Sequence, residues 1–254
     1  MHRRRWPIVL VLLMFIGGYW IIANRANIFE GVFTKTAPTI KPPTNDIRST
    51  EITKQSLSSL NFSGTQVISV NNNQPNFSAK DLSLSEGAWQ KLHARDWEGR
   101  AQVANAMLNK SLMPSVQRER LTFNPAGYHV YKTSDGEYLY NRSHLIGYQL
   151  TGLNNEPKNL VTGTKSFNAV HTSDDQQSME NYENIVAEYL RSDANHYVRY
   201  RVTPIYRNVE QVPRGVEMEA QSITDDSIKF NVYVFNAEPG WQINYLIGTA
   251  KQMQ

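Results

Sequence analysis

Asn141-Arg142-Ser143-His144 is the stretch of this chain from which both fold and chemistry can be argued. Two short segments rich in β-forming residues, 128–132 and 137–140, precede it and flank Thr133-Ser134-Asp135-Gly136. An Asp-Gly pair between two such segments is typical of a tight hairpin turn. The four residues are therefore predicted to follow directly on a β-hairpin.

Polar residues suited to phosphate chemistry continue downstream of this stretch. Asn159 opens a predicted short strand, 159–163, and Asn168 comes nine residues later at the predicted start of a helix. Glu183 lies on a longer amphipathic helix predicted over 177–191. Metal-assisted phosphodiester cleavage needs a base, an oxygen ligand for a hard cation, and donors that hold the developing charge. Mg²⁺ keeps several waters, so one amide can suffice on the protein side.

These residues resemble the DNA/RNA non-specific endonuclease family, whose ββα-metal fold presents an Asp-Arg-Gly-His motif. The chain is most similar to the Gram-positive membrane-bound branch, which includes the DNA-entry nucleases of competent bacteria. The similarity is strongest over about residues 120–205 and extends from about 60 to 250.

The resemblance implies a role for each matching residue. His144 takes the position of the general base, and Arg142 that of the arginine that contacts phosphate. Asn168 matches the asparagine that binds the metal, Mg²⁺ with Mn²⁺ as a substitute. Asn159 matches an asparagine that supports the active-site network, and Glu183 the glutamate that holds metal-bound water.

Two residues depart from the family motif: Asn141 replaces aspartate, and Ser143 replaces glycine. Both are expected to lie against the substrate. Lys165, Arg199 and Arg201 are further candidates for substrate phosphates, and the two arginines share a strand face because they are two residues apart. For these two, an exposed face of the sheet is an equally good interpretation.

Other interpretations of the motif remain open at this point. His144 could be a core histidine satisfied by backbone groups, and two asparagines nine apart could serve as turn or cap residues. A catalytically degenerate, membrane-tethered DNA-binding protein is the rival function, and Asn141 supports it. A wall-associated module is a third. The sequence holds no cysteine and no His-Glu-x-x-His pattern, which disfavours thiolate sites and a zinc hydrolase.

The N-terminal sequence predicts a membrane anchor. After the tail 1–5, with three arginines, residues 6–23 are uncharged and would span about 27 Å as a helix, close to the roughly 30 Å bilayer core. Arginines before the span predict a cytoplasmic N-terminus. A cleaved signal peptide is the alternative. Either way, two segments are expected outside the membrane: a Pro/Thr/Ser-rich stalk, residues 24–59, and the nuclease domain, residues 60–254.

The basic pI of about 9.0 belongs to this N-terminal region. Without the four arginines of residues 1–26 the net charge falls from +3 to −1. A nucleic-acid site must therefore be a local cluster of basic residues on a near-neutral body.

The fold class predicted is α+β: a central antiparallel sheet with flanking helices and a ββα-metal motif, preceded by the transmembrane helix. Alternating apolar residues predict strands near 65–70, 198–202, 216–220 and 228–234. Between residues 83 and 109 the apolar spacing suggests helix, and Trp89 and Trp97 are expected in the core rather than as stacking platforms.

The function expected is an endonuclease that cleaves DNA and RNA with little sequence specificity and leaves 5′-phosphates. An imidazole near its ordinary pKa of about 6.5 predicts activity that rises from mildly acidic to neutral pH. DNA-uptake machinery is a candidate partner.

Overall fold

A computed structural model describes residues 54–133, 136–169 and 177–253. The predicted anchor, 6–23, and the stalk up to residue 53 lie outside these ranges. Within them, no helix combines the length and apolar character needed to cross a bilayer.

Ten strands and four helices make up the described part. The strands are β1 (Val67–Ser69), β2 (Trp89–Leu92), β3 (Ala104–Asn109), β4 (Tyr140–His144), β5 (Leu160–Thr164), β6 (Tyr197–Ile205), β7 (Gly215–Ser222), β8 (Lys229–Phe235), β9 (Trp241–Ile243) and β10 (Ala250–Gln252). The helices are α1 (Lys54–Ser59), α2 (Tyr148–Thr151), α3 (Lys165–Asn168) and α4 (Met179–Ser192).

Six of the strands form an antiparallel sheet in the order β1-β8-β7-β6-β3-β2. Side chains alternate between its two faces. Tyr200 pairs with Ala220, which pairs with Phe230, so these three share one face. The α4 helix covers that face, where the rings of Tyr182 and Phe230 lie 5.0 Å apart. The predicted α+β class with a central antiparallel sheet is confirmed.

The opposite face carries α1. Leu57 of this helix is fully buried in a cluster that includes Ile205, Tyr233 and Phe235. Residues 54–59, predicted as the end of the stalk, therefore belong to the folded domain. The domain boundary predicted at residue 60 lies too late.

The second, two-stranded pair is β4–β5, with Arg142 opposite Thr162 and His144 opposite Leu160. The α3 helix follows β5 without a loop, capped by the Thr164 hydroxyl, which accepts from the Phe167 N–H. Asn236, just after β8, accepts from the Thr164 N–H and donates to the Thr162 carbonyl. A buried side-chain clamp thus fixes this β-β-α unit against the end of the large sheet.

The helix expected between residues 83 and 109 is wrong. This region forms β2 and β3, paired from Trp89–Met107 to Leu92–Ala104. Over short spans its apolar residues fit both the helical and the strand period, and the pairing of β3 with β6 makes this region part of the sheet. The hairpin turn places Trp97 in solvent, 85% exposed, which also corrects its assignment to the core.

Candidate active site

His144 is the last residue of β4 and is almost completely buried, at 7% exposure. Its Nε2 atom lies 2.7 Å from the backbone carbonyl oxygen of Asn154. A carbonyl can only accept, so Nε2 carries the proton and Nδ1 keeps its lone pair. The geometry fixes the tautomer in which Nδ1 can accept a proton.

Burial lowers the pKa of His144 to about 4, because a charged imidazolium would lose its hydration. The Arg118 cation pushes the pKa in the same direction, while hydrogen bonds to the carbonyls of Asn154 and Leu153 oppose the shift. The ring is therefore neutral well below neutral pH. A pKa of about 4 moves the expected loss of activity to a lower pH than the ordinary histidine pKa of about 6.5 would.

A polar cleft of about 290 Å³ lies beside β4. Three of the residues that line it were predicted from the sequence: Asn141, Arg142 and Asn168. The segment 118–121 completes the lining with Arg118, Glu119, Arg120 and Leu121. The three arginines form the local basic cluster expected on a near-neutral body.

Sequence reasoning missed Arg118 and Arg120. They precede the motif by more than twenty residues in a stretch without helix or strand periodicity, so no spacing connects them with Arg142. The available signal was the Arg118-Glu119-Arg120 run itself, two cations two residues apart.

Arg142 is held by two protein groups. Its Nε and Nη2 atoms donate to Asn124 Oδ1 at 3.0 and 2.6 Å. The guanidinium also lies 4.6 Å from the ring centroid of Tyr128. Nη1 has no hydrogen bond to the residues that the structure describes, so this edge can donate to a ligand in the cleft.

Asn168 ends α3 rather than starting a helix, and it is half-buried at the cleft wall. Its amide makes no hydrogen bond within the described ranges, which leaves the side-chain oxygen free for a ligand. Those ranges contain no group of three or more His, Cys, Asp or Glu side chains able to enclose a metal. One amide oxygen beside an open polar cleft fits a hydrated hard cation such as Mg²⁺.

Asn159 is fully buried and braces the chain just after His144. Its Oδ1 accepts from the Ile146 N–H at 3.0 Å, and its Nδ2 donates to the Ile146 carbonyl at 2.9 Å. The Leu145 N–H donates to the Asn159 carbonyl at 2.8 Å. The side chain thus prolongs the β4–β5 ladder past its last strand pair, which holds the backbone that carries His144.

Glu183 is buried on α4, where its carboxylate accepts from the Gly147 N–H. Burial raises its pKa to about 8, and Glu180 adds to the rise, while Gly147 and Arg118 oppose it. The carboxyl group presses on Gly147, where a Cβ atom would overlap both carboxyl oxygens. Glu183 therefore packs behind Gly147, in the segment that follows His144, and is not among the residues that line the cleft.

The structure contradicts the substrate contact expected of Ser143. Alternation along β4 turns this residue inward, fully buried, and its hydroxyl has no hydrogen-bond partner. It occupies the space that a side chain at Gly163 would fill, next to the Phe167 ring. Ser143 has a negative φ, so the backbone at this motif position does not require a glycine and serine fits without strain.

The structure places Arg199 and Arg201 away from the cleft, and the buried Arg199 does not lie on an exposed sheet face either. They lie on the sheet face opposite α4 and Glu183, since they alternate with Tyr200. Arg199 is buried and donates to Asn105 Oδ1 at 2.6 Å, and Arg201 pairs with Glu219 at 2.6 Å. Neither lines the cleft. Lys165, at the first turn of α3, is half-buried and does not line it either.

Known proteins share this architecture. A DNA/RNA non-specific endonuclease family model matches residues 82–224. The NucA structure from Streptococcus agalactiae with magnesium ion bound is 29% identical, with a TM-score of 0.66, and the match covers 78% of this chain and 93% of NucA. Sda1 nuclease with bound zinc ion is 26% identical, with a TM-score of 0.56 and coverage of 65% and 81%. An extracellular nuclease is 27% identical, with a TM-score of 0.53 and coverage of 69% and 99%.

The matched segment contains β4, β5, α3 and α4, and with them the cleft, His144, Asn159 and Glu183. It spans more than half of the chain. The chain therefore belongs to the DNA/RNA non-specific endonuclease family and is a nuclease, a hydrolase of phosphodiester bonds.

Proposed function

We propose that this protein is a metal-dependent endonuclease that hydrolyses DNA and RNA with little sequence specificity, using His144 as general base. One observation carries the proposal. The imidazole of His144 is buried and neutral, and its Nδ1 atom keeps its lone pair. Arg142 lies two residues before it on β4 and lines the cleft together with Asn168, whose amide makes no hydrogen bond within the described ranges. A base, a cation and an oxygen ligand thus lie on one β-β-α unit.

In the reaction, His144 Nδ1 accepts a proton from the water that attacks phosphorus, and its Nε2–H stays on the Asn154 carbonyl. General-base assistance of this kind contributes roughly 10²- to 10⁴-fold in rate. The guanidinium groups of Arg142, Arg118 and Arg120 hold the phosphate and its growing negative charge. Cleavage of the bond between phosphorus and the 3′ oxygen leaves a 5′-phosphate, and the departing 3′ oxygen takes a proton from water and becomes a 3′-hydroxyl.

Asn168 is the residue that would hold the metal, with Asn141 and water beside it in the cleft. A divalent cation bound there supplies polarisation of the phosphate and stabilisation of the departing oxygen. Magnesium is supported by the NucA structure, which has a magnesium ion bound, and by the preference of Mg²⁺ for oxygen ligands. Manganese, with similar ligand preferences, should substitute.

The remaining predicted residues act indirectly in this account. Asn159 holds the backbone after His144, and Glu183 holds the Gly147 backbone. Asn141 keeps a hydrogen-bonding side chain at the cleft where the family motif has a carboxylate. Lys165 remains a proposed phosphate contact for a long substrate, because it begins the helix that ends in Asn168.

Low sequence specificity follows from the lining of the cleft. Guanidinium groups recognise phosphates, which carry no sequence information. Both DNA and RNA present such phosphates. Binding to them should weaken as the salt concentration rises, because association releases condensed counterions.

The site of action that we propose is outside the cytoplasmic membrane, with residues 6–23 as a single-pass anchor. The uncharged N-terminal span supports this, as does the similarity to a protein described as an extracellular nuclease. A membrane-bound nuclease at the cell surface would be suited to cooperate with DNA-uptake machinery.

Incubation of plasmid DNA and of RNA with the full chain tests the proposal. We expect nicking and then degradation with Mg²⁺ or Mn²⁺, none with EDTA, and no preferred cleavage sequence. Binding of plasmid without metal-dependent cleavage would instead support the degenerate DNA-binding protein. A ladder confined to one short sequence would contradict the low specificity.

A further inference from the structure

The β2–β3 hairpin displays an indole ring in solvent. Trp97 is 85% exposed at the hairpin tip, although burial of an aromatic side chain normally removes roughly 150–250 Å² from water. The cleft does not include this residue, and the mechanism above makes no use of it.

Several hydrogen bonds hold the turn that carries Trp97. The Asp96 carboxylate accepts from the N–H groups of Glu98 and Arg100 at 3.1 and 2.9 Å. Arg100 also donates to the carbonyls of Asn208 and Glu210 at 2.7 and 2.9 Å. Because these bonds fix the turn before any ligand arrives, binding through the ring would cost little ordering entropy.

Arg95, two residues before Trp97, contacts the segment that holds Arg142. This exposed arginine lies with its guanidinium 5.3 Å from the ring centroid of Phe123 and forms no ion pair with the residues that the structure describes. The next residue, Asn124, is the one that holds Arg142. Arg95, Phe123 and Asn124 therefore form a series of neighbouring residues between the hairpin tip and Arg142.

We propose that Trp97 and Arg95 form a stacking platform that binds single-stranded nucleic acid beside the cleft. This proposal rests on the proposed function in that the substrate is a nucleic acid. Unpaired bases expose π faces that stack on aromatic rings in a sequence-tolerant way, whereas bases inside a duplex are already stacked. Arg95 supplies the charge for the accompanying phosphate. The platform should favour single strands and frayed ends over intact duplex.

The residues around the ring argue against a membrane as the ligand. Asp96 and Glu98 are both ion-paired with Arg100, at 2.7 and 2.8 Å, and Arg95 brings the turn to a net charge of zero, so Arg95 is the cation of the turn that can turn to a phosphate. A membrane-binding surface would require a contiguous apolar patch. Here charged residues directly flank Trp97 on both sides.

The test compares binding of an oligothymidylate and of a hairpin duplex by the full chain with His144→Ala, in which cleavage should be roughly 10²- to 10⁴-fold slower. Fluorescence anisotropy gives both dissociation constants. Trp97→Ala should weaken single-strand binding by roughly 5- to 150-fold, the range expected for loss of one base–aromatic stack, and affect duplex binding much less. Trp97→Phe should retain most of the affinity, and Arg95→Gln should reduce the salt dependence by about one phosphate contact.

Val209→Ala is the matched control. Val209 is 51% exposed in the loop that Arg100 ties to the same turn, and it has no ring, so both affinities should be unchanged. Equal single-strand affinity with Trp97 and with Trp97→Ala, both in the His144→Ala chain, would overturn the platform, even if the chain with His144 intact cleaves plasmid normally. Loss of binding to lipid vesicles by Trp97→Ala, with single-strand binding intact, would overturn it too. Absence of plasmid cleavage by the chain with His144 intact, together with the predicted loss of single-strand affinity, would refute the nuclease mechanism alone.

Discussion

The Nε2 atom of His144 donates to the backbone carbonyl of Asn154 across 2.7 Å, and this bond decides which ring nitrogen can act as base. Because the acceptor belongs to the backbone, no side-chain substitution at Asn154 removes it. The tautomer is therefore fixed by the path of the chain, and burial keeps the ring neutral.

Replacement of Arg118 should move the acid limb of the pH profile. Burial lowers the pKa of His144 to about 4, and Arg118 contributes to the shift in the same direction. Arg118→Gln should therefore raise this pKa, so the loss of kcat/KM on acidification begins at a higher pH than in the wild type. Profiles of kcat/KM against pH measure the shift. An acid limb that stays in place or moves to lower pH would contradict the electrostatic role.

Gly147→Ala should reduce both stability and activity, because its Cβ would overlap the Glu183 carboxyl group. Pairing it with Glu183→Asp, a shorter acid, should recover part of the loss. A double-mutant cycle on Tm and on kcat would reveal this coupling as non-additivity. Additive effects of the two substitutions would show that Gly147 and Glu183 act independently.

Ser143→Ala should leave activity unchanged and keep or raise the Tm, since it removes a buried hydroxyl that has no hydrogen bond. Gly163→Ala should destabilise, because its Cβ would overlap both the Ser143 hydroxyl and the Phe167 ring. Thermal unfolding and plasmid cleavage report the two effects. A large loss of activity in Ser143→Ala with an unchanged Tm would restore a direct role for this residue.

Much of the site was predictable because its residues are close in sequence. The motif at 141–144, Asn159 and Asn168 sit on one β-β-α unit, so local spacing was enough to group them. Arg118 was not predictable, since only tertiary folding brings its segment to the cleft. Whether the side chains of Ser143 and the two sheet arginines point into the protein or towards the substrate depends on which face of each strand is covered. The periodicity of the sequence does not show which face that is.

Arg199→Ala should impair folding rather than substrate binding. The guanidinium is buried with Asn105 and lies on the sheet face opposite α4. We expect a lower Tm, with KM and the salt dependence of KM unchanged in the remaining folded protein. Arg142→Ala is the comparison, and it should raise KM and reduce the salt dependence. A raised KM in Arg199→Ala at unchanged Tm would place this arginine with the substrate.

The proton that the buried Glu183 carboxyl group holds should be visible in the pH dependence of stability. Burial raises the pKa of Glu183 to about 8, so the folded state binds a proton more tightly than the unfolded state, whose pKa is near 4.5. Wild-type stability relative to Glu183→Gln should therefore fall as pH rises between these two values. Chemical denaturation of metal-free protein across this range measures the difference. A difference that is constant, or that grows with pH, would contradict a protonated Glu183.

The most direct measurement of the central claim is the rate of Mg²⁺-dependent plasmid cleavage by the full chain with His144→Ala. Because the residue is buried, His144→Gln and a thermal melt of each variant accompany it. The account predicts folded variants whose rate is roughly 10²- to 10⁴-fold below the wild type. A folded variant that cleaves at the wild-type rate would show that His144 is not the base.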